Sequence, residues 1–531
     1  MKLNLKKGIY SFLIAIFYVV INIYYISKMN FEEDAYIMFR YVEMFVKGYG
    51  ITFYPGGGHL EGATDFLWFL LLSILNKCYI DTGIASIILN SLGVFIITYI
   101  LTSVILKSKD KIIRNILFPF SFLWLLIVPV FAAFGGFSVF LYSSIILLTL
   151  HLLYKRVKII WIPILSIIIA LFRPDGVILG ICFTILGFFL SEKKNRKLYF
   201  VNVFIAAIVG ISYFLWRYNY FGELLPLPLY VKQATSIWKS FKINIYDFTS
   251  GAVIVGIILF VICYILQNKQ EKKNIFLLEL PSIIFFLTIS LAHQSQNIAS
   301  RFQAPVIYMG YYLIIVMIIN LSKNKGKYRL VCVGLFYVLI LISLCNSIAH
   351  ILWTYGHSKR SYINVFPSKL AKNILVDGNT LAVSEAGRIP YWVDKKVKII
   401  DLVGLNTKYT AKNEITESYI AKLDPEVIMI FIHNTFKGTQ NVYKISDRNL
   451  INRYIYINGK GKEYQAMLVT SKFIYDHWDE YDVFMVRFLD YYPHVYAIKK
   501  RLNKSELMFK LLNESFNESS SYWDLKMKKN E

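Results

Sequence analysis

The chain has 531 residues, of which 56% are hydrophobic and 17% charged, and a mean hydropathy of +0.49. That is too apolar for an ordinary soluble fold. Its net charge of +24 does not mark a nucleic-acid binder, because the Lys and Arg residues fall mainly in short loops between apolar runs and in the tail, where topogenesis places them.

The first apolar segment follows Lys2, Lys6 and Lys7 without a small-residue cleavage site, so it reads as a permanent anchor. Apolar runs of roughly twenty residues then recur as far as Ala349, long enough at ~1.5 Å per residue to cross a hydrocarbon core of about 30 Å. Short basic loops at 155–158, 192–197, 268–274 and 322–329 belong in the cytoplasm. Alternation then puts the loop 27–64, the turn 173–176, the stretches 217–251 and 293–303, and everything after Ala349 on the outer side. Counting residues 66–80 as a span would push the basic stretch 107–114 outside, so this short segment reads as interfacial or re-entrant. About eleven spans follow. Cys78, Cys182, Cys263, Cys332 and Cys345 lie in or beside apolar segments without metal-ligand or disulfide spacing, and read as small core residues.

The loop 27–64 contains Asn30-Phe31-Glu32-Glu33-Asp34-Ala35-Tyr36, three consecutive acids directly after a span. One reading is helix capping by Asn30, with acids in the first turn where the helix dipole favours them. The other is a general base held at the membrane surface, where it deprotonates an acceptor hydroxyl. Residues 48–68 are dense in glycine, yet they lack the Gly-Lys-Ser/Thr ending of a P-loop and the strand that precedes a dinucleotide loop. His293 is able to hydrogen-bond a sugar, and a lone loop histidine is equally often unremarkable.

The acidic pair, Ala35-Tyr36-Ile37, Phe39-Arg40-Tyr41, Gly48-Tyr49-Gly50, Pro55-Gly56-Gly57, Glu61-Gly62-Ala63-Thr64 and Leu67-Trp68 occur in that order. Farther on stand Arg173-Pro174-Asp175-Gly176, Tyr220-Phe221-Gly222-Glu223 with Lys232, Arg301-Phe302 and Asp401-Leu402-Val403-Gly404-Leu405-Asn406. Together these resemble the GT-C membrane glycosyltransferases, and more narrowly the bacterial arabinofuranosyltransferases that use a polyprenyl-phospho-arabinose donor. The resemblance implies sugar transfer from a polyprenyl-phosphate-linked donor to a glycan or glycolipid acceptor at the outer face of a bacterial plasma membrane, with inversion. Membrane lipid is then the other partner, and the resemblance fixes neither a cofactor nor a divalent cation. It implies Glu33 and Asp34 as catalytic acids, with Arg301, Lys232 and Arg173 as cations for the donor phosphate. Arg40, Glu61, Asp175 and His293 are the remaining candidates for substrate binding. Two departures stand out: Glu33 replaces the first of two aspartates, and Ser138 stands where an acid is expected.

After the last span the apolar runs shorten to strand length. Thr380 to Ser384 and Lys396 to Ile400 read as strands joined through Gly387 and Pro390, with a turn after Asp401. The expected architecture is a polytopic α-helical membrane domain of GT-C type over 1–350 and a C-terminal α/β soluble domain over 351–531. Two other readings stay open: a polytopic transporter or flippase of a lipid-linked saccharide, and a saccharide ligase or polymerase that uses a polyprenyl-diphosphate donor. A transporter would place ionisable residues near the midplane and often shows repeated halves.

Overall fold

The computed structural model describes residues 2–27, 30–115, 117–118, 136–232, 238, 240–242, 245, 251–291, 301–323, 328–358, 362–393, 396–432, 441–454, 461–487, 493–518 and 521–530. The apolar runs are helical, the form in which a single segment satisfies its own backbone in lipid. Among the described residues four helices are long and apolar enough to cross a membrane: Lys6–Ile26, Thr82–Ile105, Lys193–Phe221 and Ala304–Ser322. Six shorter apolar helices accompany them: Phe66–Lys77, Val139–Lys155, Ile159–Phe172, Gly176–Leu190, Val253–Ile265 and Val331–Cys345. The protein is therefore an integral, multi-pass one. The expectation of about eleven spans draws on these helices other than Phe66–Lys77, on the helix Lys269–Ile289 and on the segment 119–135, which lies outside the described residues.

The helix Phe66–Lys77 has 12 residues, about 18 Å of rise and well short of a bilayer core. A tight connection joins it to Thr82–Ile105, whose N-terminus is capped by Asp81 through the amides of Gly83 and Ile84. Deeper in that helix the Asn90 amide donates to the Phe137 carbonyl at 2.8 Å and accepts from the Phe140 amide at 3.1 Å. This fixes the start of Val139–Lys155 and with it Phe137 and Ser138.

The last membrane-domain helix, Tyr328–Ser358, carries the chain past position 350 before the tail begins with the helix Tyr362–Asn373. Among the described residues the tail holds six strands: β1 (Thr380–Val383), β2 (Lys398–Asp401), β3 (Val427–Phe431), β4 (Asn441–Ile445), β5 (Tyr481–Arg487) and β6 (His494–Lys499). They form one mixed sheet in the order β2-β1-β3-β6-β5-β4, with β1 parallel to both β2 and β3 and the remaining pairings antiparallel. Strand alternation divides the burial. Leu381, Val383, Val427, Met429, Tyr496 and Ile498 join the large core shared with the membrane helices, whereas Ala382, Ile428, Ile430, Val495 and Ala497 build a second core with Ala466 and Phe473 of the helix Lys462–Asp476.

Polar contacts also lock the tail onto the loop between the first two long helices. Tyr522 donates to Asp81 at 2.9 Å, and Lys526 pairs with Glu43 at 3.1 Å and Asp81 at 3.2 Å. Glu223 pairs with both Lys408, at 2.6 Å, and Lys412. Asp401 is fully buried and accepts hydrogen bonds from the amides of Val403, Gly404 and Asn406, so it organises the turn that presses Asn406 against Gly62.

Candidate active site

The acidic segment becomes the first turn of the helix Glu33–Val46. Glu32, in extended conformation, occupies the N-cap without a side-chain cap bond. The expectation that Asn30 caps is thereby corrected: the Ala35 amide bonds the Glu32 carbonyl, so the N-cap lies two residues beyond Asn30, which accepts from the Tyr36 hydroxyl at 3.4 Å. Ala35, Tyr36, Phe39 and Val42 are buried, which holds Glu33 and Asp34 at a fixed edge of the core, where the helix dipole stabilises negative charge.

Asp34 accepts from Arg301 Nη2 at 2.7 Å. Burial alone would raise this carboxyl, but the charges of Arg301 and then Lys232 outweigh it and hold Asp34 below the usual aspartate value. Arg301 Nη1 is buried with no hydrogen-bond partner among the described residues, a donor of the kind that native structures rarely leave unused. Burial also lowers Lys232, with Asp34 opposing and Arg301 reinforcing, so the lysine lies within the field of the same pair.

Glu33 sits in the opposite electrostatic setting. Its Oε1 accepts from the Gly387 amide of the tail at 2.5 Å, while burial, then the charges of Asp34 and Glu385, push its carboxyl well above the usual glutamate value. A Cβ at residue 387 would overlap the Glu33 main chain, so the close approach requires glycine. Burial likewise pushes Glu385 up to about 7, with Arg388 opposing and Glu463 adding to the rise. Sequence reasoning missed Glu385. The available signal was an acid just beyond the carboxyl end of a short apolar strand, a place where binding groups collect in α/β sheets.

Arg173 and Arg301 share an aromatic wall. The Arg301 guanidinium lies 4.0 Å from the Phe137 ring centre and 5.0 Å from that of Phe302, and Arg173 lies 4.9 Å from Phe302 and from Tyr142. Arg173 pairs with Asp175 at 2.5 Å, and Tyr142 donates to the other oxygen of Asp175 at 3.4 Å. Ser138 donates to Asp65 at 2.8 Å. The position where the resemblance expects an acid thus carries a serine that binds one.

The other candidates are engaged in ties between segments. Arg40 is fully buried and donates to the main-chain carbonyls of Phe53 at 3.0 Å and Val393 at 3.1 Å, linking the acidic helix to the tail. Glu61 forms a buried ion pair with Arg217, which also donates to the Glu223 and Leu224 carbonyls at 3.2 and 2.9 Å. His293 lies outside the described residues. The structure therefore brings Glu33, Asp34, Lys232, Arg301 and Glu385 into one electrostatic neighbourhood, places Arg173 and Asp175 next to it across Phe302, and sets Arg40 and Glu61 to bracing that surrounds it.

The class so defined is a multi-pass helical membrane protein with an α/β domain docked over a cluster of acids and arginines. In fold it is similar to ArnT from Cupriavidus metallidurans, both in the apo state and bound to undecaprenyl phosphate. In each case the TM-score is 0.53 at 10% identity, covering 80% of this chain and 92% of that chain. The likeness is one of fold, a GT-C-like polytopic helical architecture. Residues 367–486, within the tail, match a domain of unknown function (DUF8728). No curated protein matches the chain by sequence.

Proposed function

We propose that this protein is an inverting glycosyltransferase that moves a sugar from a polyprenyl-phosphate-linked donor to a cell-envelope glycan or lipid acceptor at the outer face of the membrane, which we take to be the bacterial plasma membrane. The observation that carries the reading is Arg301, whose Nη2 is held by Asp34 while Nη1 stays buried and unpartnered among the described residues. A phosphate oxygen satisfies such a donor, and Lys232 and Arg173 supply further positive charge. The likeness in fold to a protein crystallised with undecaprenyl phosphate supports a lipid phosphate as the ligand.

The two acids then divide the work. Asp34, held ionised by Arg301 and Lys232, fixes the phosphate-binding cations. Glu33, whose ionised form is the more basic of the two, takes the acceptor proton as the acceptor oxygen attacks the anomeric carbon. The bond from that carbon to the phosphate oxygen breaks, and polyprenyl phosphate leaves with the electron pair beside Arg301.

The test is turnover of radiolabelled polyprenyl-phospho-sugars in proteoliposomes by the wild type, Glu33→Gln and Asp34→Asn, each checked for folding. Transfer by the wild type and its loss in Glu33→Gln is the expected result. Donors bound but never consumed, or lipid-linked sugar moved across the bilayer unchanged by either variant, would replace the transferase reading with a binding module or a transporter.

A further inference from the structure

The helix Lys2–Ile26 buries one face, along which Lys7, Ser11, Ile14, Tyr18 and Asn22 follow at the three- and four-residue spacing that keeps side chains on one side of a helix. It packs on Thr82–Ile105. A Cβ at Gly83 would overlap the Phe31 ring, so the start of Thr82–Ile105 adjoins the chain just past Ile26 and the two helices run antiparallel. Lys7 and Ser11 therefore lie level with the turn that follows Ile105, where Ser108 is buried. The Tyr10 ring, 4.6 Å from that of Phe118, ties the same end of the first helix to the segment beyond that turn.

Lysines near the ends of membrane helices ordinarily snorkel to water, as the exposed Lys6 does. Lys7 is on the packed face instead, with only 4% of its surface exposed, and no carboxylate among the described residues pairs with it. The acid of the neighbouring turn, Asp110, is engaged by the amides of Ile112 and Ile113. The Ser11 and Ser108 hydroxyls are likewise buried without a hydrogen-bond partner among the described residues. A buried cation calls for a counter-charge and buried hydroxyls for acceptors. One anion with several oxygens satisfies all three.

We propose that Lys7, Ser11 and Ser108 hold the phosphate of an anionic lipid headgroup at the end of the helix bundle opposite the acidic cluster. Lys7 supplies the charge, the two serines donate to phosphate oxygens, and the exposed Lys6 and Lys107 form a basic rim. Phe12, Tyr99 and Ile112 are exposed on the three surrounding elements, so the site borders hydrocarbon as well as water, which favours a lipid over a free ion. About 30 Å of helix separates Lys7 from the loop that carries Glu33, so this phosphate is not the one beside Arg301. Bound there, it fastens the start of the first helix to the end of Thr82–Ile105.

The experiment is native mass spectrometry of the delipidated full-length protein in detergent, titrated with phosphatidylglycerol, phosphatidylcholine or inorganic phosphate. We expect phosphatidylglycerol to bind at least about tenfold more weakly to Lys7→Met than to the wild type, and about threefold more weakly to Ser11→Ala and Ser108→Ala. Lys7→Arg keeps the charge and should retain binding, as should Lys109→Met, which alters an exposed lysine of the same stretch. Phosphatidylglycerol should also raise Tm in the wild type and not in Lys7→Met. Equal affinity in wild type and Lys7→Met overturns the proposal. So does an equal loss in Lys109→Met, which would reduce the effect to diffuse surface attraction. Equal binding of phosphatidylcholine, or of inorganic phosphate without lipid, overturns the anionic lipid as the ligand. The two serine variants carry the test if Lys7→Met fails to fold. No sugar donor is used, so neither outcome touches the transferase reading.

Discussion

Asp34 and Arg301, separated by 267 positions in the chain, meet at 2.7 Å and leave one guanidinium nitrogen buried and unpartnered among the described residues. The pair joins the helix Glu33–Val46 to the segment leading into Ala304–Lys323, so the acid sets the position of the cation to within a hydrogen bond.

Arg301→Lys keeps the charge but loses the planar fork that serves Asp34 and a phosphate oxygen together. On the transferase reading KM for the donor rises at least about tenfold while kcat changes less, the signature of lost uniform binding. Steady-state kinetics over a donor series checks this. A fall in kcat at unchanged KM would assign Arg301 to the transition state alone.

Two glycines mark where the tail closes on the membrane domain. A Cβ at Gly62 would collide with Asn406 Oδ1, and one at Gly387 with the Glu33 main chain. Each Gly→Ala change should destabilise the docked tail by about 1–3 kcal/mol, the usual cost of overpacking, and expose it to limited proteolysis. Gly58→Ala meets nothing within 4 Å and serves as the neutral comparison.

Local pattern carried a good part of this architecture. The apolar runs, the acids in a first helical turn and the strands β1 and β2 were legible because each depends on a few neighbouring residues, whereas the cap itself fell at Glu32 rather than Asn30. The pairing of Asp34 with Arg301 and the grip of Gly387 on Glu33 span 267 and 354 positions, and no periodicity encodes contacts of that range. Arg40 and Glu61 look like binding residues in sequence because buried bracing and substrate contact use the same side chains. The contacts they make in the fold, to the Val393 carbonyl and to Arg217, come from remote segments that no local pattern announces. Glu385 went unread because Ser-Glu-Ala-Gly-Arg resembles any polar turn until β1 is set beside β3.

The titrating acids make stability depend on pH with a defined sign. Glu385 is raised from 4.5 to about 7, so between those values the folded state keeps a proton that the unfolded chain has released. Its stabilising contribution is fully present below about 4.5 and is lost as pH rises through 7. Asp34, held low, contributes in the opposite sense: its stabilisation is present above the ordinary aspartate value and is lost in stronger acid. Thermal unfolding of the detergent-solubilised protein should therefore show Tm falling between about pH 5 and 7.5, with a shallower slope in Glu385→Gln. An identical slope in the two proteins would mean that Glu385 titrates as an ordinary carboxyl.

A second tie between the tail and the acidic helix is Lys526. Its ammonium lies between Glu43 and Asp81 and donates to the Tyr391 hydroxyl at 2.7 Å, with only 15% of the side chain exposed. Lys526→Met keeps most of the side-chain volume but leaves two nearly buried carboxylates facing each other without the cation, which should cost about 3–5 kcal/mol. Adding Glu43→Gln removes one of the stranded charges and should recover part of the loss, a coupling that a double-mutant cycle on Tm reads directly. Glu43 lies near the end of the helix that begins with Glu33, so a loosened clamp lets the first turn shift relative to Gly387. On the transferase reading, turnover in Lys526→Met should therefore fall by more than the folded fraction alone accounts for, and the double variant should recover activity together with Tm. Full specific activity in folded Lys526→Met would show that Gly387 and Arg301 hold the acids in place without it.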